Sequence, residues 1–319
     1  MTPLLQFKPI YQERVWGGRG LELFLGRKLP GTTPIGESWE LVDRPEAQSL
    51  VAGGSWAGKS LRDIVATHGA EIMGPMWPKT RPFPILVKWL DCRERLSLQV
   101  HPPADIAAKL GGEAKTENWY IARAEPGAAV LAGLKPGVDP AKFRAALKNN
   151  TAESLVHRLP TKAGDSLLIR SGVMHAIDGG NLILEIQQNS DTTYRVYDWG
   201  RVGLDGKPRT MHVEQSMASL EANTAGTPQL VHSTGKRTLL ADCSEFRLTR
   251  HSLAGGESIK FAAGEQARIL SVVSGSLTAE GTTLGLGDNT LLPYAGAYHF
   301  VAGQNAVVIV TDNFSSLDK

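Results

Sequence analysis

The sequence has little of several features that point to particular classes of protein. It contains two cysteines in 319 residues, Cys92 and Cys243, and they form no CxxC pattern. A disulfide framework is therefore not expected, and a reducing cytoplasm is the expected compartment. No apolar run is long enough to cross a membrane. The opening segment MTPLLQFKPIYQERVW lacks the apolar core and cleavage pattern of a secretion signal, so secretion is not expected either.

An excess of charge of one sign is also lacking. The formal net charge is +2, with 34 basic and 32 acidic residues, and neither sign forms a stripe or a tail. Binding to nucleic acid or to a membrane surface is therefore not expected. The sequence does not indicate an oligomeric state.

Residues that form turns are abundant instead. The 34 glycines and 18 prolines separate short apolar runs such as PILVKWL, LSLQV, SLLIRS and LILEIQ. This spacing predicts many short strands, and therefore a mainly β fold built as a sandwich or a barrel. Helical patterns are rarer, and the longest cover residues 59–72, 139–159 and 211–221. Asp139 stands at a capping position there, and Pro140 suits the first turn of a helix.

The segment GGSWAGKS, residues 53–60, matches the phosphate-binding pattern GxxxxGK[ST] letter for letter. In a P-loop, Lys59 would contact the phosphates of a nucleotide. Such loops belong to parallel βαβ folds, however, and this chain shows one short strand after another with few helices. Trp56 would also crowd a nucleotide. A turn followed by a helix is therefore the favoured interpretation, and a P-loop kinase is an alternative.

Four possible metal ligands stand at the ends of predicted strands. In LSLQVHPP, Gln99 and His101 alternate with apolar residues and so face one side of a strand that the following prolines end. Glu117 precedes the strand NWYIARA, and His175 begins a strand after a turn. Two imidazoles and a carboxylate suit Zn²⁺ and leave a position for water or substrate, although manganese or iron can use the same ligands.

Further charged residues fall within apolar or aromatic strands. Lys88 lies in PILVKWLD, where it either reaches an edge or lines a polar cavity, because an unpaired buried charge is costly. Glu185 lies in the apolar strand LILEIQ, and Arg195 lies between aromatic residues in YRVYDW. Lys115 lies two residues before Glu117 and faces the same way on an extended segment. These residues are candidates for a polar site beside the metal ligands.

An internal repeat is present near the C-terminus. GDNTLLPYAGAYHF has the shape of the earlier GDSLLIRSGVMHAI: Gly-Asp, an apolar strand, a glycine turn and a histidine. The second copy lacks an upstream QxH and a partner glutamate, so His299 is predicted to be structural. We therefore expect a catalytic domain of residues 1–240, with a helical segment at about 139–159, and a C-terminal β domain of residues 241–319 without metal.

The paired motifs resemble those of the cupin superfamily, small β-barrels with a metal in the mouth. Gly164, Gly172 and His175 match the second cupin motif, in which Arg170 replaces a proline, and Gln99 stands in place of the first histidine of the first motif. QVHP, AKTENWYI, MHAI and EIQQNSDTTYRVYDW together resemble the type I mannose-6-phosphate isomerases in their short bacterial form. VWGG, IGESWE and PILVKWLD are similar to that family as well, so the resemblance covers essentially the whole chain.

The resemblance implies two cupin-type jelly-roll barrels with a small helical insertion. It also implies a metal-dependent isomerase that interconverts mannose 6-phosphate and fructose 6-phosphate through a cis-enediol. One Zn²⁺ per chain would be bound by four residues: Gln99, His101, Glu117 and His175. The implied catalytic residues are Arg195, Lys115 and Glu185. The implied substrate-binding residues are Lys88, Arg195, Trp16 and Glu40.

The sequence leaves the proton-transferring group open among Glu185, Lys115 and a metal-bound water. The expected partner is a small sugar phosphate. Two alternatives to the isomerase stay open at this point: a sugar-binding cupin module without activity, and an iron-dependent cupin dioxygenase.

Overall fold

A computed structural model describes residues 3–279 and 281–315. Residues 1–2, 280 and 316–319, which the predictions for the opening segment and the C-terminal domain include, lie outside the described residues. The helices are α1 (Gly20–Leu25), α2 (Leu61–Ile72), α3 (Ala104–Ala107), α4 (Pro140–Lys148) and α5 (Val213–Glu221). Short 3-10 turns cover Gly54–Trp56, Ala108–Leu110 and Ala152–Leu155.

The strands of the described residues follow one another as β1 (Leu5–Gln6), β2 (Ile10–Gly18), β3 (Ile35–Leu41), β4 (Asp43–Arg44), β5 (Ala47–Gln48), β6 (Ile85–Cys92), β7 (Leu98–Val100), β8 (Glu117–Ala124), β9 (Ala129–Leu134), β10 (Val156–Pro160), β11 (Asp165–Ile169), β12 (His175–Ile177), β13 (Asn181–Gln188), β14 (Tyr194–Tyr197), β15 (Val231–His232), β16 (Arg237–Asp242), β17 (Arg247–Leu253), β18 (Ser258–Phe261), β19 (Arg268–Ser274), β20 (Ser276–Ala279), β21 (Thr282–Gly285), β22 (Asn289–Leu292), β23 (Tyr298–Ala302) and β24 (Ala306–Asp312). The prediction of a mainly β fold is confirmed.

The chain packs into two compact units. Over the described residues, one unit comprises residues 3–10, 39–88, 233–279 and 281–315, and the other comprises Tyr11–Ser38 and Trp89–His232. We refer to them as the first and the second unit. The first unit thus takes in segments of the predicted catalytic region as well as the C-terminal strands, because β1 pairs with β22. The functional division of the chain at residue 240 stays a prediction.

The strands of the second unit form two sheets that face each other across an apolar core, and β3 and β6 of the larger sheet each have residues in both units. One sheet has the order β10-β9-β12-β7-β14, and the other has the order β15-β11-β8-β13-β6-β3-β2. Side chains from both sheets form the core between them, among them Trp119, Ile183, Val130 and Ile177. The outer face of the five-stranded sheet packs against helices α4 and α5 through a second cluster that includes Phe143. Since antiparallel strands alternate their side chains, each strand supplies one face to the core between the sheets.

The first unit repeats this two-sheet arrangement. Its sheets have the orders β1-β22-β19-β24-β17-β16 and β18-β23-β20-β21, and a small hairpin joins β4 to β5. Their shared core includes Leu270, Val308, Leu277 and Phe300. His299 lies on β23 with an exposed side chain, and the described residues place no group of three metal-binding side chains around it.

The helix predicted for residues 139–159 is correct only in its first half. The Asp139 carboxylate accepts a hydrogen bond from the backbone N–H of Lys142 at 2.7 Å, which caps the start of α4 as expected. The helix then ends at Lys148, and Asn150 takes a left-handed backbone conformation with a φ of 57°. The leucines beyond it belong to a 3-10 turn and to β10, which pairs with β9. Sheet pairing therefore overrides the helical spacing of these leucines.

The other two predicted helices are confirmed with shorter bounds. In α2, the Ser60 hydroxyl accepts a hydrogen bond from the N–H of Asp63 at 3.1 Å and so marks the helix start. Helix α5 begins at Val213. None of the helices in residues 3–279 and 281–315 combines the length and the apolar character needed to cross a membrane.

Candidate metal centre

Three residues of the second unit form a compact cluster of possible metal ligands. His101 directly follows β7, Glu117 is the first residue of β8, and His175 is the first residue of β12. One ligand atom from each lies within 4.8 Å of the others, and all three side chains are buried. The histidines come from one sheet, where His175 pairs with Gln99, and the glutamate comes from the facing sheet. The cluster therefore lies between the two sheets, at the ends of their strands.

Four polar atoms of this cluster, on His101 and Glu117, lack hydrogen bonds within the described residues. His101 Nε2 lies 3.3 Å from Glu117 Oε2, and His175 Nε2 lies 3.4 Å from Glu117 Oε1. Within the described residues, neither nitrogen of His101 and neither oxygen of Glu117 has a partner in hydrogen-bond geometry. Buried polar atoms without such partners are costly, so native structures rarely retain them without a reason. A cation among these atoms satisfies them, and the three residues fit a metal ion.

Both imidazoles are held in the neutral form that binds metals. Burial, together with the charge of Lys115, lowers the pKa of His101 to about 3. Burial also lowers the pKa of His175. The Nδ1 of His175 lies 2.8 Å from the carbonyl oxygen of Val173, to which it donates a hydrogen bond when Nε2 is unprotonated. That contact turns the lone pair of Nε2 towards Glu117, as a ligand requires.

Lys115 stabilises the charge of the carboxylate. Its Nζ lies 3.1 Å from Glu117 Oε2, and the lysine side chain is buried. Burial alone would raise the pKa of Glu117, but Lys115 and the two histidines outweigh that effect and hold this pKa well below its usual range. The ionised carboxylate is the ligating form, so the cluster offers two neutral nitrogens and one anion.

A chain of polar contacts joins the cluster to Arg195. Gln99 Nε2 lies 3.2 Å from His175 Nε2, and Ser97 Oγ donates a hydrogen bond to Gln99 Oε1 at 3.3 Å. Arg195 Nε in turn donates to Ser97 Oγ at 3.2 Å. Strand β14 places Arg195 directly opposite Gln99 on β7. The amide of Gln99 thus contacts the nitrogen lone pair that a metal would use, and it competes with a metal in this orientation.

Glu185 is held by a tryptophan. The two residues are direct partners across β8 and β13, and Trp119 Nε1 donates a hydrogen bond to Glu185 Oε1 at 3.0 Å. The edge of the Trp119 ring also faces His175, with 5.5 Å between ring centroids. Neither Trp119 nor Ser97 was among the residues predicted from the sequence. The alternating pattern along the strands could have indicated both residues, because Trp119 is two residues from Glu117 and Ser97 is two residues from Gln99, so each pair faces the same side of its strand.

The other predicted substrate-binding residues, Trp16, Lys88 and Glu40, are all buried. Trp16 belongs to the second unit, and its side chain packs in the apolar core that also includes Trp119. Lys88 and Glu40 belong to the first unit and are buried. Lys88 does not reach a surface, and its Nζ lies 5.0 Å from the ring centroid of Trp39. The substrate-binding roles of these residues stay predictions.

The segment GGSWAGKS forms a turn before α2, as the favoured interpretation predicts. The backbone N–H groups of Ala57, Gly58 and Lys59 all donate to carbonyl oxygens of residues 51–56. Leu50 and Ser60, on either side, form an antiparallel bridge. A phosphate cradle requires free backbone N–H groups after a parallel strand, whereas the N–H groups of residues 57–59 are already bonded and the strand pairing here is antiparallel.

Known proteins are similar to this chain over most of its length. The family model described as phosphomannose isomerase type I, catalytic domain, matches residues 4–134. The mannose-6-phosphate isomerase of Streptococcus mutans is 35% identical over 293 residues, which cover 88% of this chain and 89% of that protein. The chain belongs to the type I phosphomannose isomerase family.

Other members of the phosphomannose isomerase family match nearly the whole chain. Mannose-6-phosphate isomerase ManA of Bacillus subtilis is 33% identical over 307 residues, or 92% of this chain and 94% of that protein. A crystal structure of the mannose 6-phosphate isomerase from Bacillus subtilis superimposes with a TM-score of 0.86 at 29% identity, covering 98% of this chain and all of that one. Membership of this family confirms that the chain is an isomerase with the predicted cupin-type fold.

Proposed function

We propose that this isomerase interconverts mannose 6-phosphate and fructose 6-phosphate in a metal-dependent reaction. The observation that carries the proposal is the buried cluster of His101, Glu117 and His175, which polar contacts connect to Arg195. The names of its relatives support the choice of sugar phosphate. A binding module without activity, or a dioxygenase, has no need for the lysine and arginine beside the cluster.

The metal we propose is one Zn²⁺ per chain. Two neutral imidazoles and a carboxylate are the donor set that zinc prefers in catalytic sites, where one position stays open. Gln99 is the fourth candidate ligand, provided that its amide turns its oxygen towards the ion. When bound, the ion would polarise the oxygens of the sugar as a Lewis acid.

The residues around the cluster have distinct proposed roles in moving a proton between C2 and C1. Arg195 keeps its positive charge at all working pH values, so it suits either the enediolate or the phosphate. Glu185, held by Trp119, is a candidate base for the C2 proton. Lys115 is the other candidate in proton transfer or phosphate binding, and its contact with Glu117 orients its ammonium group. Lys88, Trp16 and Glu40 remain proposed contacts to the sugar phosphate.

Residues 1–240 are proposed as the catalytic part of the chain, since they contain every candidate ligand, and residues 241–319 as a β domain without metal. We also propose that the enzyme acts in the cytoplasm. The free thiols of Cys92 and Cys243 support that compartment.

The proposal is tested by a coupled assay that follows fructose 6-phosphate formed from mannose 6-phosphate. Activity should disappear after chelation and return on addition of Zn²⁺. The variant His101→Ala should lose bound metal and activity together. His299→Ala is the matched control, since it removes the exposed histidine of the second repeat and should leave both intact. Activity that survives complete chelation would refute metal dependence, and metal-loaded protein that turns over no hexose phosphate would refute the proposed reaction.

A further inference from the structure

The carboxylate of Asp198 binds two arginines, and neither the proposed ligands nor the proposed acid–base groups use it. Asp198 directly follows β14, and its side chain is buried. Its Oδ2 accepts a hydrogen bond from Arg209 Nε at 2.8 Å, and its Oδ1 accepts from Arg209 Nη2 and from Arg201 Nη2. Burial would raise the pKa of Asp198, but the hydrogen bonds from both arginines outweigh it and lower this pKa. The carboxylate is therefore a charged, fixed anchor.

The two arginines connect this anchor to different places. Arg201 donates to the carbonyl oxygen of Arg95. Arg209 instead precedes Thr210, whose carbonyl oxygen accepts a hydrogen bond from Arg195 Nη1 at 3.0 Å. The paired hydrogen bonds between Arg209 and Asp198 fix the backbone next to Thr210, because a bidentate contact restrains orientation as well as distance.

The loop between these residues is braced along its length. Val202 and Pro208 form an antiparallel bridge, and the N–H of Gly203 donates to the carbonyl of Lys207 at 2.7 Å. The loop then returns to β14, where the N–H of His212 donates to the carbonyl of Arg195 at 2.7 Å. The loop thus starts beside Asp198 and ends beside Arg195. Arg209 binds the Asp198 carboxylate, and the carbonyl of Thr210 accepts the hydrogen bond from Arg195.

Arg195 itself is restrained at two points. Its Nε donates to Ser97 Oγ, and its Nη1 donates to the Thr210 carbonyl. An arginine side chain has many rotamers, and holding it in one of them costs conformational entropy. Two acceptors on one guanidinium select a single orientation before substrate binds. Without the Thr210 acceptor, the hydrogen bond to Ser97 Oγ would remain to orient Arg195.

We propose that Asp198 is a positioning residue for Arg195 and that it acts through Arg209 and the carbonyl of Thr210. The inference rests on the proposed function, in the form in which Arg195 stabilises the enediolate. A displacement of about 1 Å in a positioned catalytic group can reduce a rate by about 100-fold. The expected consequence is therefore a loss of turnover without a loss of metal.

The test compares two variants of the metal-loaded full chain that each remove one arginine from the same carboxylate. Arg209→Gln breaks the connection to Thr210, and we expect kcat to fall by about 10- to 100-fold with little change in KM. Arg201→Gln is the matched control: it also weakens the anchor, but its change in kcat should stay within about 2-fold. Asp198→Asn should behave as Arg209→Gln does. Arg209→Lys, which keeps one contact, should recover part of the turnover.

Several results would overturn the inference. Equal losses of kcat in Arg209→Gln and Arg201→Gln would indicate general destabilisation, and a raised KM with unchanged kcat would assign Arg209 to substrate binding. Full turnover in the Arg209→Gln enzyme would also refute the inference. The proposed function is separable, because Arg195→Ala and chelation of the parent enzyme test it without any change at Asp198. Full activity in Arg195→Ala would refute both the proposed role of Arg195 and this inference.

Discussion

Replacing Lys115 with methionine should destabilise the metal-free protein and tighten its binding of metal. Lys115 Nζ and Glu117 Oε2 are 3.1 Å apart in a buried setting. At an effective dielectric constant of about 20, two charges at this distance attract by about 5 kcal/mol. Part of that is regained, because the buried lysine no longer has to be desolvated and a neighbouring imidazole can take up a proton. A net loss of about 3 kcal/mol remains, at the lower end of the range for a buried pair that loses one partner.

Metal binding should reverse this loss. A divalent cation between the histidines and Glu117 supplies the positive charge that the variant lacks, so the metal-loaded variant should be nearly as stable as the metal-loaded parent. By linkage, a deficit of about 3 kcal/mol confined to the metal-free state corresponds to about 100-fold tighter metal binding. Turnover should nevertheless fall, since Lys115 is a proposed catalytic group.

The assay is unfolding in urea with chelator and with Zn²⁺, together with calorimetric titration of the metal. Lys148→Met, which replaces an exposed lysine at the end of α4, is the matched control and should change neither quantity. A metal-free Lys115→Met protein as stable as the parent would refute the electrostatic argument. Metal binding that is unchanged or weaker in this variant would also refute the electrostatic argument.

Three further predictions follow from other contacts. The metal-free protein should lose about 2 kcal/mol of stability between pH 7 and pH 5. The reason is that the unfolded state protonates His101 near its ordinary pKa of about 6.5, whereas the folded state holds this pKa at about 3. Equal urea midpoints at the two pH values would contradict this prediction. Trp119→Phe removes the hydrogen bond to Glu185, so kcat should fall by about 10-fold with metal content unchanged, and an unaltered kcat would separate Trp119 from catalysis. Asp139→Ala removes the cap of α4 and should cost about 1 kcal/mol in urea unfolding with kcat unchanged; unaltered stability would show that the cap contributes nothing.

Local patterns in the sequence predicted much of the candidate site. Alternation along LSLQVHPP placed Gln99 and His101 on one side of a strand, and both lie near His175 in the structure. The capping signal at Asp139 predicted where α4 begins. These predictions succeed because a strand repeats every two residues and a helix start needs a partner for its free N–H groups. Both requirements act within a few residues of the chain.

Contacts between distant residues were beyond such patterns. The helix predicted to continue to residue 159 stops at Lys148, because the later residues of that segment form β10, which pairs with β9. The hydrogen bond from Trp119 to Glu185 depends on the register of β8 and β13, which no local pattern specifies. The contact of Arg195 with Thr210 depends likewise on how the loop after β14 folds back.

The sequence by itself determined which side chains are available: two histidines, a glutamate and an amide at strand ends, with a lysine and an arginine nearby. Only the tertiary structure decided that His101 and His175 approach from one sheet and Glu117 from the facing sheet. It also decided that Lys115 is buried against Glu117 and that Asp198 anchors the loop beside Arg195. The reason is that side-chain spacing is a property of the local backbone, whereas the pairing and burial of charges depend on which strands pack together.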